Sequence, residues 1–167
     1  VFVLPNNGNI TLAARQVAEL SEKRVIVIPT KNVAMGIAAV VAFQPDFPAE
    51  DNEQRMNEAA QRVRTGTVTY AVRDSEYQDM HIKAGSIIGL TNGEVTCSGD
   101  STDAISMELL RGLVTEDDGL ITVYYGEDTQ REDAENLAAK VAEEFCTCDV
   151  EVHSGGQPLY YYLLSVE

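Results

Sequence analysis

The first third of the chain alternates short apolar runs with helical patterns. Residues 1–3 and 24–28 are predominantly apolar and β-branched, which is typical of buried strands. Residues 10–20 have helical periodicity, whereas residues 33–43 are apolar on every side, which predicts a helix buried all round. A strand, a polar turn and a helix form half of a βαβ unit. This α/β pattern therefore predicts a partial Rossmann-like layer.

Single residues refine this prediction. Asn32 is placed to cap the second helix, and Gly36 within that helix predicts close approach to a neighbouring backbone. Residues 50–64 form an amphipathic pattern with Met56 and Ala60 on the apolar face. We interpret this segment as a helix that joins two structural units.

The pattern changes after residue 66. Residues 67–73 alternate as a half-buried strand does, and Asn92-Gly93 between two strand patterns is the strongest short signal for a hairpin. Paired strand patterns with helices between them predict an α+β unit, one mixed sheet with helices on one face. Two further helices are predicted: one is capped by Ser101 or Thr102 and ends at Leu113, and the other runs from a capping box at 129–132 to about Phe145. The remaining predicted strands are residues 120–125, 150–153 and 160–166.

Two polar segments carry no predicted function. Glu116, Asp117 and Asp118 precede a strand pattern, and we interpret them as a solvated turn. His81 lies among polar residues, and we interpret it as a surface residue on a loop.

The charge is distributed unevenly. Residues 1–66 hold seven Lys/Arg and seven Asp/Glu, whereas residues 67–167 hold five and twenty, so the second part carries the whole net charge of −15. Such a surface repels a phosphate polyanion, so nucleic acid is not an expected partner. The asymmetry predicts two units, residues 1–65 and 66–167, although solubilisation of an acidic protein explains the charge as well. Because the chain opens inside a strand pattern, we expect the first unit to lack an upstream portion.

The three cysteines, Cys97, Cys146 and Cys148, do not make a disulfide framework. Only His81 and His153 could complete a zinc site with them, at no recognisable spacing, so no metal site is expected. The cysteines predict reduced thiols in a cytoplasmic protein. No apolar run approaches the roughly 20 residues that a membrane helix needs, so no integral membrane segment is expected.

Candidate ligand residues follow the first two strand patterns. Asn6, Asn7 and Asn9 lie at a strand-to-helix turn, where amides and helix N–H groups could bind an anionic or carbonyl group. As turn and cap residues they would need no ligand. Thr30 and Lys31 end the next strand on the same sheet edge if the two strands are parallel, and their side chains suit a carboxylate or phosphate. The GxGxxG and GxxxxGK[ST] patterns of nucleotide phosphate loops are absent.

A second candidate region surrounds His153. This residue lies at a strand end beside Gly155-Gly156, which lets a ligand or another backbone come close. A functional histidine and a histidine that is merely hydrogen-bonded at the strand end both fit this position. No nucleophile and base can be assembled, because GxSxG is absent and no histidine stands at a defined offset from a cysteine.

Six segments together carry a family resemblance. They are residues 1–10 with Leu-Pro-Asn-Asn, 27–31, 36–39, 65–74 with Tyr-Ala-Val-Arg-Asp, 124–128, and 155–160 with Gly-Gly-Gln-Pro-Leu-Tyr. In this order they resemble the C-terminal module of the ATP-binding subunit of bacterial fatty acid kinase, a dihydroxyacetone-kinase-like (DhaL-domain) family. The resemblance extends over essentially all 167 residues. The module is itself similar to the DegV-like fatty-acid-binding proteins.

The resemblance implies a larger protein in three parts. An N-terminal helical DhaL-type domain would bind ATP and Mg²⁺, a middle domain would follow, and this module would hold no kinase site and no cofactor. It implies a DegV-like fold and a cytoplasmic DegV-like fatty-acid-binding protein as partner, with fatty acid or acyl phosphate as a further ligand. It leaves open whether the module forms a homodimer.

The resemblance also bears on single residues. In DegV-like proteins a Ser-rich turn and a histidine in an HxGPG-type turn hold the fatty acid head group. Asn6-Asn7 stands in place of the serine turn, and the second turn runs from His153 through Gln157 to Pro158. The histidine is retained while its surroundings differ, which favours a DegV-like scaffold adapted to docking.

The sequence thus predicts a non-catalytic docking or regulatory module for the acyl-carrying partner. The alternative is a module that itself binds a small carboxylate or fatty acid. In both cases the loop asparagines and the late histidine are expected to converge on one cleft. The residues predicted to bind the ligand or partner are Asn6, Asn7, Asn9, Thr30, Lys31, His153 and Gln157.

Overall fold

The computed structural model describes residues 1–77 and 80–167, which form two compact units, Val1–Val63 and Arg64–Glu167. The elements of the first unit are β1 (Phe2–Val3), α1 (Gly8–Leu20), β2 (Ile26–Val27), α2 (Val33–Ala42) and α3 (Ala49–Arg62). β1 and β2 pair in parallel, with Phe2 opposite Ile26. Ile28, Ala39 and Met56 belong to the small core of this unit. The β1-α1-β2 succession is the partial Rossmann-like layer that the sequence predicts.

Helix α2 is not buried all round, so this prediction was wrong. Ala34 and Ala39 are its buried residues, and a Cβ added to Gly36 would meet nothing within 4 Å, which also contradicts the expected close approach. Four large aliphatic side chains of α2 are 42–75% exposed: Val33, Ile37, Val40 and Val41. Ala39 belongs to the small core and Met35 packs against it, whereas these four side chains face outward.

The second unit is built on a mixed sheet. Its elements are β3 (Arg64–Tyr70), β4 (Ser75–Tyr77), β5 (Met80–Ile82), β6 (Ile87–Thr91), β7 (Glu94–Gly99), α4 (Thr102–Leu113), β8 (Leu120–Tyr125), α5 (Arg131–Glu144), β9 (Asp149–Ser154) and β10 (Tyr160–Val166). Six strands are ordered β7-β6-β3-β10-β8-β9, and all neighbours are antiparallel except β8 and β9. Helices α4 and α5 share one apolar core with the sheet, so both cover the same face. This is the predicted α+β arrangement.

Local signals in this unit agree with the structure at several points. Asn92 and Gly93 have φ values of 56° and 85°, as a type I′ hairpin turn between β6 and β7 requires. Ser101 caps α4 by accepting a hydrogen bond from the Ala104 N–H at 3.4 Å. His81 is exposed as expected, but it lies in β5, which pairs antiparallel with β4, instead of on a loop.

Two local predictions were wrong because tertiary partners compete for the side chains. The hydroxyl of Thr129 donates to the Tyr161 carbonyl at 3.2 Å, and α5 begins after Gln130 without a side-chain cap, so there is no capping box. Asp118 is only 8% exposed and does not lie in a solvated turn. Its carboxylate pairs with Arg64 of β3 and accepts the Thr115 N–H.

Candidate functional site

The turns after β1 and β2 lie together at one edge of the first unit. The strands are parallel, so their carboxyl ends meet at the same edge. The hydroxyl of Thr30 donates to the Pro5 carbonyl at 2.5 Å, and the Lys31 Cγ lies 3.9 Å from the position of a Cβ on Gly8. The structure therefore brings the asparagine turn and the Thr30-Lys31 segment together.

The asparagines of this edge include a helix cap. The side chain of Asn7 accepts the Asn9 N–H at 2.9 Å and so caps α1. Asn32, which was not predicted as a site residue, caps α2 in the same way by accepting the Met35 N–H at 3.0 Å. Asn6 and Asn9 are exposed. Asn7 therefore performs the structural role that the residue type also allows.

The electrostatics of this edge favour an anion. The N-terminus of α2 follows directly after Lys31, and that of α1 follows Asn7, so two partial positive charges and one ammonium group lie at the same edge. Neither helix has an acidic side chain in its first turn. A carboxylate or phosphate is the group that such an arrangement suits.

Thr30 is the least accessible of these residues. Thr30 is 0% exposed, and its hydroxyl donates its hydrogen bond to the Pro5 carbonyl. The bond fixes the turn after β1 to the end of β2. Thr30 therefore shapes the edge, whereas Lys31, Asn6 and Asn9 are exposed side chains that a ligand can reach.

His153 and Gln157 belong to the second unit, where each has a defined partner. His153 lies in β9 with its side chain 54% exposed, and its Nε2 is 2.9 Å from the Glu151 carboxylate. Its ring centroid lies 5.9 Å from that of Tyr124 on the neighbouring strand. Convergence of His153 with the asparagine turn stays a prediction.

The segment after His153 is held tightly by β8. The side-chain amide of Gln157 donates to the Tyr124 carbonyl at 3.2 Å, and the Gln157 carbonyl accepts the Glu127 N–H at 3.1 Å. A Cβ on Gly126 would overlap the Tyr160 carbonyl oxygen, so only glycine fits there. Gln157 therefore has a structural role in the loop.

Exposed apolar stripes on α1 and α2 are a surface that the sequence analysis did not identify. Helix α1 has no buried residue, and Ile10, Val17 and Leu20, which share one face, are 49–86% exposed. The exposed aliphatic side chains of α2 lie at helical spacing of four, seven and eight residues from Val33. The apolar composition of residues 33–43 was the available signal, but it was interpreted as core.

Within residues 1–77 and 80–167 no cluster of His, Cys, Asp or Glu has the geometry to hold a metal ion. In the same ranges no helix is long and apolar enough to span a membrane.

The family of the chain follows from comparison with known sequences. The model of the family described as fatty acid kinase A-subunit-like, C-terminal, matches residues 1–167. Protein YloV of Bacillus subtilis is 42% identical over 167 residues, which is 100% of this chain and 30% of that protein. An uncharacterized protein of Staphylococcus aureus is 35% identical over 166 residues, 99% of this chain and 30% of the relative. The chain thus spans about a third of the length of these relatives.

Solved structures with a similar fold include DegV family proteins. A DegV family protein of Corynebacterium glutamicum matches with a TM-score of 0.67 at 14% identity, over 99% of this chain and 74% of that one. The fatty acid kinase B3 protein of Streptococcus pneumoniae, solved with linoleic acid, matches with a TM-score of 0.65 at 11% identity, over 99% and 70%. The fold is therefore DegV-like, and about a quarter or more of each DegV-like chain has no counterpart here.

Proposed function

The chain belongs to the family of fatty acid kinase A-subunit-like C-terminal modules, and we propose that it is a non-catalytic docking module. It binds an acyl-carrying DegV-like protein and holds it near a kinase site in another part of the polypeptide. That kinase site uses ATP and Mg²⁺ to form an acyl phosphate. The 30% coverage of the curated relatives leaves room for such a domain.

The exposed apolar stripes of the first unit carry this proposal. Soluble proteins rarely expose contiguous apolar surface without a partner for it. In α1 the stripe comprises Ile10, Val17 and Leu20, and in α2 the exposed side chains include Ile37 and Val40. Helical apolar stripes with this spacing are typical of surfaces that dock against another protein.

The structural roles of three residues that were predicted to bind the ligand or partner support the same proposal. Thr30 is buried and hydrogen-bonded to Pro5, Asn7 caps α1, and Gln157 bonds to the Tyr124 carbonyl. Three of the seven candidate residues are thus used in holding the fold. Residues at positions suited to a head group can in this way hold the fold while the chain serves as a docking surface.

Binding to the DegV-like protein of the same organism tests this function. We expect the 167-residue chain to bind it, and the double substitution Val17→Asn and Leu20→Gln to weaken binding about tenfold or more, because it removes apolar contact area. Leu12→Gln is the matched control, since Leu12 is 67% exposed on α1 but lies outside the stripe. Absence of binding at about 100 µM, or equal loss in the control, would contradict the proposal.

A second candidate function is the binding of a small carboxylate or acyl group. The positive electrostatics at the edge of the first unit where β1 and β2 end favour this function. Lys31 and the N-termini of α1 and α2 would hold the head group there. Native mass spectrometry of the purified chain tests it: a co-purified lipid that is lost with Lys31→Gln but kept with Lys23→Gln supports this function. An empty protein that also fails to take up added fatty acid speaks against it.

A further inference from the structure

Strand β9 forms one edge of the six-stranded sheet. It pairs with β8 in parallel, and in the part of the chain that the structure describes it has no strand on its other side. The N–H groups of Asp149 and Gly155 donate to carbonyls on the β8 side at 2.8 and 2.9 Å. Bonding residues alternate along a strand, so the N–H and C=O groups of Val150, Val152 and Ser154 point away from β8. We call this row of outward backbone groups the β9 edge.

The β9 edge lacks several features that usually prevent a further strand from adding to a sheet. Such features are proline, lysine, a β-bulge or very short length. β9 has six residues, none of them Pro or Lys, and its register against β8 is uninterrupted. The opposite edge strand, β7, does have a register shift against β6, between Gly89 and Leu90. Of the two edges of this sheet, the β9 edge is therefore the better suited to pair with a further strand.

The two faces of β9 differ in chemistry. Val150 and Val152 are half-buried and pack, as Phe145 does, against the core that α4 and α5 share with the sheet. Asp149 and Glu151 alternate with these valines and are exposed on the other face. The side chains of an added strand would therefore lie beside the valines on one face and beside the carboxylates on the other.

The carboxylates of β9 select the charge of such a strand. Glu151 pairs with the His153 imidazole at 2.9 Å, and no Lys or Arg among the described residues lies within ion-pair distance of Asp149 or Glu151. Residues 67–167 hold twenty Asp/Glu against five Lys/Arg, so a second copy of this unit is repelled. A basic segment instead gains opposite-charge pairs across the strands.

We propose that the β9 edge binds an extended segment of a partner protein in which basic and apolar residues alternate. The segment adds a strand to the sheet by hydrogen bonds to the outward N–H and C=O groups of Val150 and Val152. Its apolar side chains extend the contact of these valines with the core, and its basic side chains lie beside Asp149 and Glu151. The proposal concerns the second unit and is independent of the apolar stripes of the first.

A heptapeptide tests the edge without any DegV-like protein. The ¹⁵N-labelled chain is titrated with acetyl-Lys-Val-Lys-Val-Lys-Val-Lys-amide, which reads the same in both directions and so fits a parallel or an antiparallel strand. We expect solvent exchange of the Val150 and Val152 amide protons to slow about tenfold or more at saturation. Exchange of the Glu151 amide, which already bonds to β8, should change by less than about twofold.

Two control peptides separate strand pairing from attraction between charges. Acetyl-Lys-Lys-Val-Val-Val-Lys-Lys-amide has the same composition and charge without the alternation, and it should bind about tenfold more weakly. Acetyl-Glu-Val-Glu-Val-Glu-Val-Glu-amide keeps the alternation but reverses the charge, and it should give no response because its carboxylates lie beside those of β9.

Two double variants locate the binding. Asp149→Asn combined with Glu151→Gln should weaken binding of the alternating lysine peptide about tenfold, because it removes the carboxylates beside the added strand. Asp100→Asn combined with Glu94→Gln makes the same charge change at exposed positions of the opposite edge, and binding should stay within about twofold.

Five outcomes would overturn the proposal. Four concern the peptides: no response at about 10 mM lysine peptide, equal binding of the non-alternating peptide, equal weakening by the two double variants, and binding that leaves exchange at Val150 and Val152 unchanged. The fifth is slower exchange of these two amides with rising concentration of the chain alone, which would identify a second copy as the occupant.

Discussion

The guanidinium of Arg64 and the carboxylate of Asp118 form an ion pair that joins the first residue of β3 to the turn ahead of β8, 54 positions later. The second carboxylate oxygen accepts the Thr115 N–H at 2.6 Å and the Thr115 hydroxyl at 3.0 Å. The Asp118 side chain is 6% exposed, so the pair is largely shielded from water on the carboxylate side. One side chain thus fixes a turn and anchors it to a strand two positions away in the sheet.

Asp118→Asn is expected to destabilise the second unit by about 2 kcal/mol, because the amide cannot accept from both Arg64 and Thr115 and leaves a buried donor unpaired. Urea unfolding followed by circular dichroism measures the change. Asp117→Asn, one position earlier and exposed, should change the free energy of unfolding by no more than about 0.5 kcal/mol. Similar effects of the two substitutions would show that Asp118 behaves as a solvated turn residue.

Gly126→Ala is expected to destabilise the loop between β9 and β10 severely, by about 3 kcal/mol or more, because the new Cβ would overlap the Tyr160 carbonyl oxygen. Gly112→Ala is the control. Gly112 lies within α4, and a Cβ there meets nothing within 4 Å, so the helix should gain about 0.5–1 kcal/mol. Thermal unfolding of both variants checks the opposite signs, and a neutral Gly126→Ala would contradict the close packing of this loop.

Thr30→Val keeps the shape of the side chain but leaves the Pro5 carbonyl without its donor, which should cost about 1–3 kcal/mol. Thr30→Ser keeps the hydroxyl and loses a methyl group, which should cost about 1 kcal/mol. Hydrogen exchange of the Ile26 and Ile28 amides, which donate to the carbonyls of Val1 and Val3, reports on the first unit. Faster exchange in the serine variant than in the valine variant would refute a structural role for the hydroxyl.

Tyr162 should make the protein sensitive to alkaline pH. Because the pKa rises from 10.0 to about 12 in the folded protein, the native state holds the proton more tightly than the unfolded state. The resulting stability is fully present below pH 10 and is lost as the pH rises through 12; a shift of two pKa units corresponds to about 3 kcal/mol.

Unfolding free energies measured between pH 9 and about 12 test this linkage. Tyr162→Phe should remove most of the decline, whereas Tyr160→Phe, at an exposed position of the same strand, should retain it. A decline of equal size in all three proteins would assign the alkaline sensitivity to other groups.

Many of the elements could be predicted from the sequence because their signals are local. Asn92-Gly93 requires positive φ values wherever it stands, and Ser101 needs only the N–H groups of its own helix. The turns after β1 and β2 could be placed at one edge because two parallel strands end on the same side. The buried face of α4 follows from the spacing of Ile105, Leu109 and Leu113.

Two of the errors share one physical cause, competition from residues far along the chain. The pattern predicted that the Thr129 hydroxyl caps a helix, but this hydroxyl donates to the Tyr161 carbonyl. Asp118 was predicted to be solvated, but it is buried in an ion pair with Arg64. Residues 33–43 specify an apolar helix but not what covers it, so exposure could not be predicted there.

The sequence by itself determined the family, the succession of strands and helices, and the sides of the helices that carry apolar residues, because these depend on side chains near each other along the chain. The tertiary structure alone decided the strand order β7-β6-β3-β10-β8-β9, the hydrogen bond from the Thr30 hydroxyl to the Pro5 carbonyl, and the β9 edge. Strand order and hydrogen-bond partners are set by packing between distant segments, where several arrangements satisfy the same local pattern and only the folded whole selects one.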